Sequence, residues 1–188
     1  MDPTLLILVI LVLVTAGWLV AVYNGLVSKR VETQNAWSQI DVQLKRRYDL
    51  IPTLVETVKG YASHERETFE RVTQARNVAM QAQGVAAQAE AENVLTATLK
   101  TLFAVSEAYP ELKANQNFLG LQEELASTEN RIGFARQHYN DVVSQYATAI
   151  QSFPSNLIAN TFGFKPAEFF ELDAGEAAAA REAPKVSF

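Results

Sequence analysis

The chain has 188 residues, and about 165 of them remain for one globular domain once the apolar N-terminus is set aside. It contains no cysteine, which excludes disulfides, thiolate metal sites and cysteine nucleophiles. The net charge is -5 with a pI near 5.1, whereas nucleic-acid-binding domains usually carry a basic excess, so we expect no nucleic acid as a partner.

The first predicted element is a single transmembrane helix. No charged side chain occurs from Pro3 to Ser28, and the run from Leu5 to Val22 is almost wholly apolar. At ~1.5 Å per residue this run spans ~27 Å, close to the ~30 Å hydrocarbon core of a bilayer. We expect lipid contact along the whole run, represented by Leu5, Val9, Leu13, Trp18 and Val22. The lipid bilayer is therefore an expected partner.

A cleaved signal peptide is the alternative, but it needs a basic n-region and a small-residue cleavage site. Asp2 is acidic, and Tyr23-Asn24-Gly25 offers no such site, so we expect an uncleaved anchor. Lys29 and Arg30 follow the span closely, and the positive-inside rule assigns them to the cytoplasm. The prediction is a single-pass protein of the cell membrane, the inner membrane in bacteria, whose soluble part faces the cytoplasm.

The next two predicted helices follow from apolar residues spaced by three and four. The first carries Trp37, Ile40, Leu44, Tyr48, Ile51, Val55 and Val58. Pro52 removes one backbone hydrogen bond, so we expect a kink or short break there. Gly60 and Ser63 offer a stop and a restart, although the pattern leaves a continuous helix open. The second helix runs from Glu65 to about Gln83, with Phe69, Val72, Ala75 and Ala79 inward.

Two further helices complete the predicted bundle. Leu95, Leu99, Leu102 and Phe103 mark the third, which Tyr109-Pro110 closes because the α region is disfavoured before proline. In the fourth, a heptad seam of the coiled-coil type runs from Phe118 to Phe153. Short connections make sequential helices antiparallel. The predicted fold is all-α: one N-terminal transmembrane helix followed by an antiparallel, up-down four-helix bundle with long first and last helices.

The chain divides into four predicted segments: the anchor at 1–28, the bundle at 29–153, an aromatic element at 154–172 and a tail at 173–188. The aromatic element contains Phe162, Phe164, Phe169 and Phe170 as candidate interaction residues. The tail is alanine-rich and acidic, which is typical of a flexible tether, and it ends in a hydrophobic tip with Val186 and Phe188. We expect this tip to dock in a groove of the bundle or of a neighbouring subunit.

Catalytic and metal-binding motifs are not found in the sequence. Di-iron bundles use Glu-x-x-His pairs, but Tyr61 stands three residues before His64 and Ala135 three before His138. The chain also has no P-loop, nucleophile elbow or dinucleotide motif. We therefore expect a protein that is not an enzyme and binds no metal or cofactor.

Two charged clusters have two interpretations each. Lys45, Arg46 and Arg47 form either a partner-binding patch or, as we favour, a solvated helix face that pairs with nearby aspartates. The second cluster, Glu129, Asn130, Arg131 and Arg136, is either a buried network that fixes helix register or a set of surface pairs. The sequence leaves this second choice open.

Several motifs together resemble the LemA family. They are Tyr23–Val27, Ile40–Pro52, Val58–Ala62, Glu107–Asn115, Glu129–Ile132, Tyr139-Asn140, Phe153–Asn156 and the Pro-x-Val-x-Phe ending. The resemblance covers nearly the whole chain and is most specific from Ile40 to Tyr61. It implies a single N-terminal membrane helix and a helical-bundle domain, and it implies no activity, because that family has no established chemistry.

Two classes of function remain as hypotheses. The leading one is a non-enzymatic structural membrane protein that self-associates into a ring-like, cage-like or membrane-shaping homo-oligomer. The long seam, the aromatic element and the hydrophobic tip together offer more apolar surface than a small monomer needs to expose. The alternative is a cytoplasmic adaptor or signalling-linked binding module that engages an unidentified protein through Lys45, Arg46 and Arg47.

Overall fold

The computed structural model describes residues 2–171, and all regular secondary structure in that range is helical. The helices are α1 (Pro3–Lys59), α2 (Arg66–Gln81), α3 (Val85–Glu107), α4 (Pro110–Lys113), α5 (Gln116–Gln151) and α6 (Ser155–Thr161). Among these residues, α1 is the one helix long and apolar enough to cross a membrane. It packs on α5, as the Arg46–Glu124 ion pair and the edge-on contact of Trp37 with Tyr139 demonstrate. The predicted fold class is confirmed.

Helix α1 continues through Pro52, so the short break expected there does not occur. Proline has no N–H, which leaves the carbonyl of Tyr48, four residues earlier, without its helical donor. Arg76 of α2 supplies the missing donor, since its Nε lies 2.7 Å from the carbonyl oxygen of Tyr48. Helix α1 then ends at Lys59 and α2 begins at Arg66, which settles the stop and restart around Gly60.

Helices α2 and α3 form a helical hairpin joined at Gly84. The predicted inward residues of α2, Phe69, Val72, Ala75 and Ala79, are all buried. Gly84 has a φ of 86°, a left-handed conformation that favours glycine, and it directly precedes α3. Helix α3 begins at Val85, earlier than its leucines indicated, because its first two turns bury small and polar residues. These include Gln88, Ala89, Ala91 and Glu92.

The heptad seam of helix α5 is buried against other helices of the same chain. The buried seam positions are Phe118, Leu125, Thr128, Ile132, Tyr139, Val142 and Tyr146. The helix starts after Asn115, whose Oδ1 accepts hydrogen bonds from the N–H groups of Asn117 and Phe118, an N-cap arrangement. It ends at Gln151, and Phe153 is 80% exposed rather than part of the seam. The seam is therefore core, and it is not free for a second copy.

The described residues form two compact units, to which α1 and α5 both contribute. The anchor-side unit comprises residues 2–39 and 137–168, with a core of Leu26, Tyr146, Ile150, Ile158, Ala159 and Phe164. The bundle unit comprises residues 40–136 and 169–171, with fully buried side chains that include Ile40, Leu44, Leu54, Leu95 and Phe118. The predicted segment boundaries at 28 and 153 stay predictions. The predicted tail at 173–188 lies outside the described residues.

Candidate functional site

A buried polar cluster lies in the bundle unit and is the most heavily charged part of its interior. Its buried members are Arg47 and Tyr48 of α1 and Gln88 and Glu92 of α3. Thr96 of α3 is partly buried, and Glu129 of α5 reaches the cluster from the surface. Arg47 is 2% exposed and Glu92 is 5% exposed. Charged side chains are seldom this deeply buried unless they are paired, so the partners decide whether the cluster stabilises the fold.

Arg47 connects three helices. Its Nη1 lies 3.1 Å from Glu92 Oε2 on α3 and 3.3 Å from Glu129 Oε2 on α5. Its Nη2 donates a hydrogen bond of 2.7 Å to the hydroxyl of Thr96. A planar guanidinium offers donors in fixed directions, so these bonds set the register of α1 against both partners.

Tyr48 and Gln88 complete the hydrogen bonding of the Glu92 carboxylate. The Tyr48 hydroxyl donates to Glu92 Oε1, and Gln88 Nε2 donates to the same oxygen at 3.0 Å. Gln88 Nε2 also lies 2.8 Å from the hydroxyl oxygen of Tyr48 and 3.1 Å from the carbonyl oxygen of Ala79. Because both carboxylate oxygens already accept hydrogen bonds, the arrangement suits helix register better than attack on a substrate.

Burial dominates the electrostatics of this cluster. Desolvation raises the pKa of Glu92 above its ordinary value, and the Tyr48 hydrogen bond and the Arg47 charge oppose that rise. Desolvation and the contact with Glu92 also raise the pKa of Tyr48, so this phenol stays protonated at physiological pH. The folded state therefore binds a proton at Glu92 more tightly than an exposed glutamate would.

The three basic residues predicted as one patch do not share one surface. Lys45 and Arg46 are exposed, and Arg46 pairs with Glu124 of α5 at 2.6 Å. Arg47 is buried, so for this residue the solvated-face interpretation is wrong. A residue at this position faces the core because it lies three after Leu44, on the inward side of α1.

In the second charged cluster, Glu129, Asn130 and Arg131 are exposed and Arg136 is half-buried. Glu129 nevertheless reaches Arg47 with its carboxylate, so one member joins the interior network and the others do not. The buried network thus exists, but it is centred on α1 and α3 rather than on α5.

The four phenylalanines of the aromatic element also differ in their burial. Phe164 and Phe170 are buried, whereas Phe162 and Phe169 are exposed. In the anchor-side unit, Arg30 lies 5.3 Å from the Phe164 ring centroid, and Tyr23 stacks edge-on against both Phe162 and Phe164. In the bundle unit, Arg136 lies 6.0 Å from the Phe170 centroid. Val186 and Phe188 lie outside the described residues.

The predicted anchor residues occupy one continuous apolar helix. Leu5, Val9, Leu13 and Trp18 are exposed, so their apolar side chains are accessible along the part of α1 that is long and apolar enough to cross a membrane. Val22 differs, because it packs partly against the core of the anchor-side unit. The packing of α1 against the rest of the anchor-side unit therefore begins at the last turn of the apolar run.

Sequence reasoning missed Gln88, Glu92 and Arg76. A signal for two of them was present, because positions 88, 92, 95, 99 and 102 continue the spacing of the α3 leucines back toward its start. Within residues 2–171, no three His, Asp or Glu side chains are grouped so that they could hold a metal ion.

Together, these features define a class of protein: a helical bundle in which the first helix extends from a long apolar N-terminal segment. The chain belongs to the LemA family, whose model matches residues 36–188. It is similar to the magnetosome proteins MamQ 1 and MamQ 2 of Paramagnetospirillum magneticum, each 26% identical over 79% of this chain. It is also similar to protein LemA of Metamycoplasma hominis, at 27% identity over 72% of this chain. The chain spans 63–64% of the length of these relatives.

Proposed function

We propose that this chain is a non-enzymatic structural protein of the cell membrane that self-associates into a homo-oligomeric ring or cage. The apolar part of α1 serves as the anchor. Lys29 and Arg30 behind it support a cytoplasmic position for the bundle. The closed hydrogen bonding of Glu92 supports the absence of catalysis, because the most perturbed carboxylate of the described residues is fully engaged in holding helices together.

One observation carries the self-association. The bundle unit has an open groove of about 720 Å³ between α2 and α3, with alanines at Ala75, Ala82, Ala87 and Ala91 and valines at Val78 and Val94. The same unit exposes 73% of Phe134, which does not line this groove. A protruding aromatic residue and an apolar groove elsewhere on one chain favour a heterologous contact between copies, which closes into rings or extends into filaments.

The chain's lack of cysteine permits a direct test. Two single-cysteine proteins, Phe134→Cys and Val94→Cys, are mixed in detergent and oxidised, and disulfide-linked heterodimers are quantified on non-reducing gels. We expect more than the twofold excess of heterodimers over either homodimer that random pairing of an equimolar mixture gives, because the contact joins unlike surfaces. The matched control replaces Phe134→Cys by Gln122→Cys, an exposed position roughly 120° around α5.

Equal cross-linking from Gln122→Cys and Phe134→Cys would contradict the proposed contact. A purely monomeric mass distribution of the full-length protein over a wide concentration range, measured by mass photometry, would contradict self-association itself. The adaptor alternative depended on one exposed surface of Lys45, Arg46 and Arg47. Arg47 is buried and Arg46 is paired with Glu124, so the three side chains do not form the single exposed basic surface that this alternative requires.

A further inference from the structure

Helix α6 lies beside the end of the apolar run of α1. A groove of about 260 Å³ is lined by Leu19, Val20 and Tyr23 of α1 together with Ile158 and Phe162. At ~1.5 Å per residue, residues 3–22 of α1 span ~30 Å, which equals the thickness of the hydrocarbon core of a bilayer. Leu19 and Val20 therefore lie in the last turn of this helical span. Any bilayer that surrounds the α1 span therefore has its boundary at the level of α6.

The outer side of this region is unusually apolar. Ile158 and Ala159 face the core of the anchor-side unit and are buried. Phe153, Leu157 and Phe162 are instead 80%, 59% and 63% exposed. Three large apolar side chains exposed within ten positions mark a surface that meets something other than water.

Charge distribution indicates what that surface meets. No Asp, Glu, Lys or Arg occurs from Val142 to Phe164, just as none occurs from Pro3 to Ser28. The first charges after the two uncharged stretches are cations: Lys29 and Arg30 in one case and Lys165 in the other. Arg30 lies 5.3 Å from the Phe164 ring, so these cations border the two stretches at the same place. Aromatic side chains followed by basic ones match the order of acyl boundary and anionic headgroups in a membrane interface.

We propose that α6 and the turn before it form a second membrane contact, in which Phe153, Leu157 and Phe162 insert into the interfacial region of the bilayer. Lys165 and Arg30 then face the lipid phosphates. This inference rests on the proposed membrane anchor and not on self-association. Its consequence is that the bilayer contacts the anchor-side unit at two places, the α1 span and α6, which fixes the rotation of that unit about the span.

The test uses single-cysteine variants of the full chain, labelled with an environment-sensitive fluorophore and reconstituted into vesicles of phosphatidylcholine and phosphatidylglycerol. Phe153→Cys and Leu157→Cys report on α6. Val12→Cys reports on the span, and Gln122→Cys serves as the aqueous control. Nitroxide lipids quench from the headgroup level or from deep in the acyl chains, and iodide quenches from water. Circular dichroism confirms that each variant is folded.

We expect the labels at 153 and 157 to shift to shorter emission wavelengths and to lose more fluorescence to the shallow nitroxide than to the deep one or to iodide. Quenching by iodide equal to that at 122 would overturn the proposal. Protection from both iodide and nitroxide would overturn it in favour of a protein contact. Failure of the deep nitroxide to quench Val12→Cys would refute the anchor itself, so the two failures are distinguishable.

Discussion

Arg46 and Arg47 are adjacent and chemically identical, yet their surroundings differ. Arg46 forms a surface pair with Glu124, and such exposed pairs contribute about 0–1 kcal/mol. Arg47 neutralises a buried carboxylate, and removal of one partner of a buried pair costs roughly 3–5 kcal/mol. We therefore expect Arg47→Ala to lower the melting temperature in detergent strongly and Arg46→Ala hardly at all. Similar melting temperatures for the two variants would show that Arg47 does not hold the bundle.

The raised pKa of Glu92 makes stability depend on pH in a definite direction. Because the folded state binds the proton more tightly than the unfolded chain, this contribution is present below the ordinary glutamate pKa near 4.5. It is lost as the pH rises through the raised value. We expect the unfolding free energy of the unmodified protein, relative to Glu92→Gln, to fall as the pH increases above about 4. Denaturant titrations at several pH values measure this difference, and a constant or rising difference would contradict the assignment.

At the scale of single helices, Pro52 and Arg76 compensate for each other. The Arg76 donor to the Tyr48 carbonyl is needed because Pro52 has no N–H to offer. We expect Arg76→Met to cost about 1–3 kcal/mol, the usual penalty for an unsatisfied buried polar group. In a Pro52→Ala background the restored N–H bonds the same carbonyl, so the cost of Arg76→Met should shrink.

A double-mutant cycle measures this coupling from thermal or denaturant unfolding. Arg71→Met is the matched control, because Arg71 lies on the same helix and pairs with Glu67 at an exposed position. Its effect should be small and equal in both backgrounds. If Arg76→Met costs the same with proline or alanine at position 52, the compensation is not real.

The elements that could be predicted are those whose inward positions are regularly spaced apolar residues. The inward face of α2 and the seam of α5 follow from spacing alone, because apolar side chains at intervals of three and four lie on one side of a helix. The stop at Gly60 is one of two possibilities, since glycine weakens a helix but does not by itself end one. The continuity of α1 through Pro52 could not be predicted from the sequence, because the compensating Arg76 lies on another helix, 28 positions after Tyr48, whose carbonyl it contacts.

The polar cluster escaped prediction for a related reason. A glutamate or glutamine at a core position resembles a surface residue until its partner is known, and Arg47 lies 45 positions from Glu92. The start of α3 was missed with it, because alanine and polar residues fill the inward positions there. Long-range pairing of buried charges is a property of the assembled bundle, and no local pattern encodes it.

For the molecule as a whole, α1 is the element that relates membrane to bundle. It has 57 residues and is about 85 Å long, of which the apolar run from Leu5 to Val22 accounts for a little less than a third. No loop separates the apolar run from the part that bears Arg47 and Tyr48.

Orientation across the membrane is the remaining whole-molecule prediction. Lys29 and Arg30 follow the span and Asp2 precedes it, so the positive-inside rule predicts Gln122 in the cytoplasm and Thr4 outside it. In a chain without native cysteines, a membrane-impermeant maleimide reports this directly. We expect Thr4→Cys to react in intact cells and Gln122→Cys to react only after the inner membrane is permeabilised. Labelling of Gln122→Cys in intact cells, with Thr4→Cys protected, would contradict the proposed topology. Lys29 and Arg30 would then lie on the outer side of the membrane, against the positive-inside rule.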